Sequence, residues 1–145
     1  MENHIGYILK RTQLAFRTRL NEALLRHELT TPQYACLNHL NQDSGLSNAE
    51  LARRCFITPQ TMHKILVGLE KKAFVSREPD PENQRRQRTL LTAAGQQALQ
   101  AAESTVDALE AQMLKAFSAE DILRFQTFLT TAHFNLEHAD IETRP

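Results

Sequence analysis

The chain has 145 residues, 41% of them hydrophobic, and its 17 basic side chains balance 17 acidic ones. That suits one domain with a real core and excludes a disordered, low-complexity tail, while apolar stretches of only a few residues exclude a membrane-spanning helix. The start, "MENHIGYILKRTQ", lacks a secretory signal, the two cysteines form no C-x-x-C pair, and four glycines leave no phosphate-cradling loop, so a cytoplasmic protein without a cofactor is expected.

From Ile5 to Leu25, apolar residues recur at Ile5, Ile8, Leu9, Phe16, Leu20, Ala23 and Leu24. Steps of mostly three or four predict an amphipathic helix. "RHELTTPQ" breaks it, and Thr31 as N-cap with Pro32 behind it predicts a second helix through Tyr34, Leu37 and Leu40 to about Asn41. "QDSGLS" reads as a turn with a short extended piece at Leu46. Ser47-Asn48-Ala49-Glu50 has capping-box form and starts a short helix, Asn48 to about Cys55. Thr58-Pro59 starts another, ending near Ala73. Phe74 to Glu78 and Arg88 to Thr92 are strand-like, and residues 79–87 between them form a hairpin loop. From Ala94, Leu99, Ala102, Val106, Leu109, Met113 and Phe117 alternate steps of three and four, close to a heptad seam. Ser118 and Asp121 cap a last helix that carries Ile122, Phe125, Leu129, Ala132 and Leu136 on one stripe, with Leu123 and Phe128 beside it.

Two short helices with a tight connection make a helix-turn-helix, and a hairpin directly after it makes a wing. The expected fold is therefore mainly α with a small β-hairpin, a winged helix-turn-helix. On the helix after Pro59, Ile65, Leu66, Leu69 and Ala73 fall within roughly 60° of Met62 at 100° per residue, which predicts a buried stripe. Gln60, Lys64 and Lys71 fall opposite, with Thr61 and His63 flanking. Such a helix suits a major groove: Gln pairs with adenine, Lys donates to guanine, and Thr58, Pro59 and Thr61 offer apolar contact to thymine methyls. A polar outer face is common on any surface helix, so the wing adds the weight. "DPENQRRQRTLLT" puts Arg85, Arg86 and Arg88 within four positions, like charges that repel unless phosphates neutralise them.

The regional charge agrees. Residues 1–29 carry five basic against three acidic side chains, residues 30–92 nine against six, and residues 93–145 three against eight. A basic middle beside an acidic end is the footprint of a nucleic-acid face.

At this point the sequence resembles the MarR family of bacterial transcription regulators over nearly its whole length. "LTTPQYACLNHL" (29–40) is similar to the family's Leu-Thr-x-x-Gln-aromatic segment. "LSNAELARRCFITPQTMHKILVGLEKKAFVSRE" (46–78) resembles its helix-turn-helix, and "DPENQRRQRTLLTAAG" (80–95) resembles its wing with the closing Leu-Thr-x-x-Gly. The resemblance implies a sequence-specific regulator, a homodimeric repressor more than an activator, binding double-stranded DNA at an inverted repeat. Arg85 matches the wing-tip arginine that enters the minor groove, and Gln60, Thr61, His63 and Lys64 match base- and phosphate-contacting positions. One departure stands out: the family has Asp two residues before that arginine, and here it is Asn83, which caps a turn but offers no opposite charge.

The resemblance also divides the single domain, 1–145, into dimerisation helices (1–29 and 93–145) and a DNA-binding lobe (30–92). It implies release from DNA by a small aromatic or anionic effector, for which Arg11, Tyr34 and His39 are the candidate pocket residues. The family's redox sensors carry a reactive cysteine in the first helix, where this chain has none; Cys36 and Cys55 read as small apolar residues. Its zinc sensors need histidines on the fifth helix, and residues 93–117 contain none, so no metal site is expected. No nucleophile–base or paired-carboxylate arrangement survives placement on these helices, which argues against an enzyme. The alternative to a DNA-bound repressor is a winged-helix antagonist acting through protein contacts, supported by Asn83 and the zero net charge.

Overall fold

The structure, a computed structural model, describes residues 1–139, so the last six residues of the predicted 93–145 segment lie outside it. The described elements follow in the predicted order: α1 (Ile5–Leu25), α2 (Thr31–Gln42), α3 (Asn48–Arg54), α4 (Pro59–Lys71), β1 (Val75–Pro79), β2 (Gln87–Leu91), α5 (Ala93–Met113) and α6 (Ala119–Glu137).

Short polar side chains set the helix starts. Ser47 accepts the Glu50 N–H at 3.3 Å while Glu50 accepts the Ser47 N–H at 2.8 Å, and Ser118 and Asp121 do the same for α6. At α2 the cap is Thr30, one residue before the predicted Thr31. The reason lies three residues on: Gln33 returns the bond to the Thr30 N–H at 3.1 Å, whereas Tyr34, three after Thr31, carries its side-chain oxygen at the far end of a rigid ring. Thr31 instead bonds Asn21 of α1.

Three helices end in a Schellman closure on a residue other than glycine. After α4, Ala73 N–H bonds the Glu70 carbonyl and Phe74 N–H bonds that of Leu69, with Ala73 at φ 59°. This is a Schellman closure, and Glu28 and Phe56 occupy the same left-handed position after α1 and α3. Phe74 is consumed by the closure, so β1 begins one residue later than predicted.

The hairpin is antiparallel, with Val75 opposite Leu91 and Glu78 opposite Arg88. Leu46 adds a single bridge to it, Thr89 N–H donating to the Leu46 carbonyl at 2.9 Å and Gly45 N–H to that of Thr89 at 3.1 Å. β2 stops at Leu91 because Thr92 turns to capping: its hydroxyl donates to the Ala73 carbonyl at 2.6 Å and accepts the Gly95 N–H at 3.0 Å. Gly95 is required there, since a Cβ would lie 2.1 Å from the Phe74 carbonyl oxygen. That is the physical content of the Leu-Thr-x-x-Gly run.

The described residues divide into two compact units, 1–109 and 110–139. In the first, Leu20 and Leu24 of α1, Cys36, Leu37 and Leu40 of α2, Leu51 of α3, Met62, Leu66 and Leu69 of α4, and Leu99 and Ala102 of α5 form one buried core. The lower half of α1 and the upper half of α5 thus belong to the same core as the helix-turn-helix. His27 and Thr105 share a 2.8 Å hydrogen bond, linking the segment after α1 to α5. In the second unit, α6 buries no residue, and Phe117 meets Phe125 edge to face at 6.1 Å.

Candidate nucleic-acid interface

The start of α4 is held twice. Thr58 accepts the Thr61 N–H at 3.2 Å, and Asn48, the first residue of α3, donates through Nδ2 to the Pro59 carbonyl at 3.1 Å. Met62, Leu66 and Leu69 are fully buried and Ile65 is half-buried, as the periodicity predicts. Ala73 is the exception. It lies beyond the helix and is exposed, because the Schellman closure swings it out of the stripe. The opposite face presents Thr58, Pro59, Gln60, Thr61, His63, Lys64 and Lys71, all exposed. This surface offers amide, hydroxyl, imidazole and ammonium groups in the first two turns, the composition that reads base edges and phosphates in a major groove.

The wing arginines differ in use. Arg86 donates to Glu50 of α3 at 2.5 Å and has its Nε 3.8 Å from Asp80. Arg88 bonds Glu78, its cross-strand neighbour, through Nε at 2.8 Å. Arg85, exposed at the hairpin tip, is the wing arginine whose guanidinium has no side-chain partner among the described residues. Its own backbone is set by Asn83, whose Oδ1 accepts the Arg85 N–H at 3.2 Å, while the Asn83 carbonyl accepts the Arg86 N–H at 2.9 Å. Asp80 caps the same loop, accepting the Glu82 N–H at 2.9 Å. An amide in place of the family's carboxylate therefore still organises the turn, and Arg85 is left with a full uncompensated charge.

Two contacts that the sequence did not flag hold wing and helices together. Arg77 of β1 pairs with Glu70 of α4 and brings Nη1 to 3.5 Å from His63 Nδ1. Glu50 sits in the α3 capping box and also accepts from Arg86. The Ser47 backbone N–H first, helped by the Ser47 hydroxyl and then by Arg86, holds the Glu50 carboxyl below its ordinary range, against an opposing effect of burial that outweighs the Arg86 charge. Strand alternation signals Arg77 only weakly, and nothing in the local sequence signals a contact between residues 36 positions apart.

The candidate effector residues are less concentrated. Arg11 stacks over the Tyr7 ring, 5.7 Å from its centroid, and lines an open groove on α1 with Ile8, Thr12 and Ala15. Tyr34 packs against the core and His39 is half-buried on α2; neither borders that groove. Both cysteines are free thiols. Burial pushes the buried Cys36 thiol up to about 12, and also raises that of the half-buried Cys55, which disfavours the thiolate that oxidants attack.

A helix-turn-helix with a cationic hairpin at its side, its outer helix face polar and its wing tip charged, defines a winged-helix DNA-binding regulator. The MarR family model matches residues 27–86. The HTH-type transcriptional repressor Rv2887 of Mycobacterium tuberculosis is 36% identical over 125 residues, 86% of this chain and 90% of that protein. Its crystal structure in complex with DNA has a TM-score of 0.76 at 34% identity, covering 89% of this chain and 97% of that one. Its complex with salicylic acid has a TM-score of 0.73 at 35% identity, covering 89% and 96%. The chain belongs to the MarR family of transcription regulators. No helix among the described residues is long and apolar enough to cross a membrane.

Proposed function

We propose that this chain is a homodimeric repressor, working in the cytoplasm by binding rather than by turnover. Two copies of α4 enter successive major grooves of an inverted-repeat operator, and Arg85 enters the minor groove beside each. The observation that carries the reading is the pairing of an exposed Gln60–Thr61–His63–Lys64 face with a wing tip at which, among the described residues, Arg85 has no side-chain partner. A narrow minor groove concentrates negative potential, which rewards such a free cation. Thr58 and Pro59 flank the reading face, and Arg86 and Arg88, paired with Glu50 and Glu78, stand behind the tip.

The dimer is supported by the apolar surface of the end helices. Ile5 is 72% exposed, Leu123 64%, Phe128 68% and Leu136 75%. Surfaces of that kind are covered by a partner in a stable protein, and residues 1–29 with 93–145 are the dimerisation region in this reading.

Release by a small aromatic acid follows from the salicylic acid complex of the Mycobacterium tuberculosis relative. Arg11 is the exposed cation best placed to meet a carboxylate on α1, with Tyr34 and His39 as further candidates on α2.

The test is a titration of the protein with its own upstream intergenic DNA and a scrambled duplex of equal length, at several salt concentrations. The native duplex should bind far more tightly, and Arg85→Ala should weaken it by about ten-fold. Equal binding of both duplexes that vanishes with modest salt would instead favour an antagonist acting through protein contacts. Salicylate added to the bound complex tests release, and Arg11→Ala should blunt it.

A further inference from the structure

We propose that Arg86 is a positioning residue rather than a DNA contact: with Glu50 it braces the wing against the helix-turn-helix, and so sets where Arg85 points. The inference rests on the DNA-binding reading above and assigns a division of labour within the wing.

The geometry is specific. Arg86 lies one residue beyond the tip arginine, yet its guanidinium runs back to α3, with Nη2 on Glu50 Oε2 and Nε buried without a hydrogen-bond partner, 3.8 Å from Asp80. Glu50 cannot follow a moving wing, because the same Oε2 accepts the Ser47 N–H at 2.8 Å and the Ser47 hydroxyl at 3.1 Å. Helix α3 is in turn tied to α4 through Asn48 and the Pro59 carbonyl. A continuous path of polar contacts therefore runs from the first turn of the recognition helix, through the α3 cap, to the residue that follows Arg85. The second end of Arg86 meets Asp80, at the opposite foot of the loop. An arginine neutralised on both sides contributes little to counterion release, whereas a loop held at one angle spares DNA binding the cost of selecting that angle.

The two roles predict opposite signs for Glu50→Gln. Gln still accepts the Ser47 N–H, so the helix cap survives and the charge pair alone is lost. For a brace, losing Glu50 weakens operator binding. For a DNA-contacting Arg86, losing Glu50 frees the guanidinium and removes a repelling carboxylate, and binding tightens.

The experiment compares wild type, Glu50→Gln, Arg86→Gln and the double variant in two measurements. In the free protein, amide hydrogen exchange of residues 79–88 should speed up in each single variant, and no further in the double. Unchanged exchange in the single variants would overturn the brace. On operator DNA, each single variant should lose about two- to five-fold in affinity, the double no more, all with the wild-type salt slope. A salt slope flattened by about one in Arg86→Gln, together with tighter binding by Glu50→Gln, would overturn it as well. A wild-type protein that holds operator and scrambled DNA alike sinks the regulator reading instead, and the exchange measurement still decides the brace.

Discussion

Residues 29–92 and the last helix, α6, are both built from regular amphipathic patterns, but they end in opposite states. In the first region Leu29, Leu37, Leu40, Leu51, Met62, Leu66, Leu69 and Val75 are all buried, and its polar groups are knitted by caps and ion pairs. In the second, no residue is buried, and Leu123, Phe128, Phe134 and Leu136 face outward. The first segment of α1 resembles α6, with Ile5, Ile8 and Leu14 exposed before the helix joins the core at Leu20. Periodicity specifies that a face is apolar, but not whether the chain itself covers it. Residues 29–92, with parts of α1 and α5, close their own core; the end helices leave apolar residues exposed that the proposed dimer would cover.

The sharpest way to break that contrast is a pair of truncations. Leu66→Ala should cost about 3 kcal/mol in chemical denaturation at any protein concentration, because it empties a fully buried site in α4. Leu123→Ala should act instead on the concentration dependence of unfolding, by weakening self-association. If Leu123→Ala is costly at all concentrations and leaves self-association intact, the outward face is not an interface.

Gly95→Ala comes next. The added Cβ meets the Phe74 backbone and the Leu91 side chain at once, and a loss of about 1–3 kcal/mol is expected, read as a lowered thermal midpoint. A silent substitution would mean that the junction between hairpin and α5 is looser than its contacts imply.

Phe56 is the exception within the closed lobe: 89% exposed, at φ 57° in the turn between α3 and α4. It gains no burial to offset a left-handed backbone, so Phe56→Gly should stabilise by roughly 0.5–1 kcal/mol. Destabilisation would show that the ring is covered in the assembled protein.

The smallest effect concerns acid. Glu50 is held below its ordinary value of 4.5, so its contribution is fully present above that pH and is lost as pH falls through the lowered value. Wild type and Glu50→Gln should therefore converge in stability on acidification below 4.5. A difference that persists unchanged at the lowest pH would place the effect of the substitution outside the ionised carboxylate.

Much of this was legible in the sequence because it is local. Ser47 with Glu50, Thr58 with Pro59 and Ser118 with Asp121 are caps within one turn, and each forms as predicted. The buried stripe of α4 follows from spacing alone. Helix ends were harder to read. Glycine usually marks the left-handed closing residue, whereas Glu28, Phe56 and Ala73 fill that place here, and none of them announces it. The three arginines of the wing were visible as a cluster, but their separate fates were not. Arg88 pairs across the hairpin and Arg86 across to α3, contacts between residues 10 and 36 positions apart.

What the sequence determined, then, is whatever a few neighbouring residues decide together: the order of elements, the apolar faces, most helix starts, and the family to which the motifs belong. Tertiary structure decided which charges remain free. A guanidinium is equally basic at positions 85, 86 and 88, and only folding brings carboxylates to two of them and leaves the third, at the tip, without a side-chain partner among the described residues.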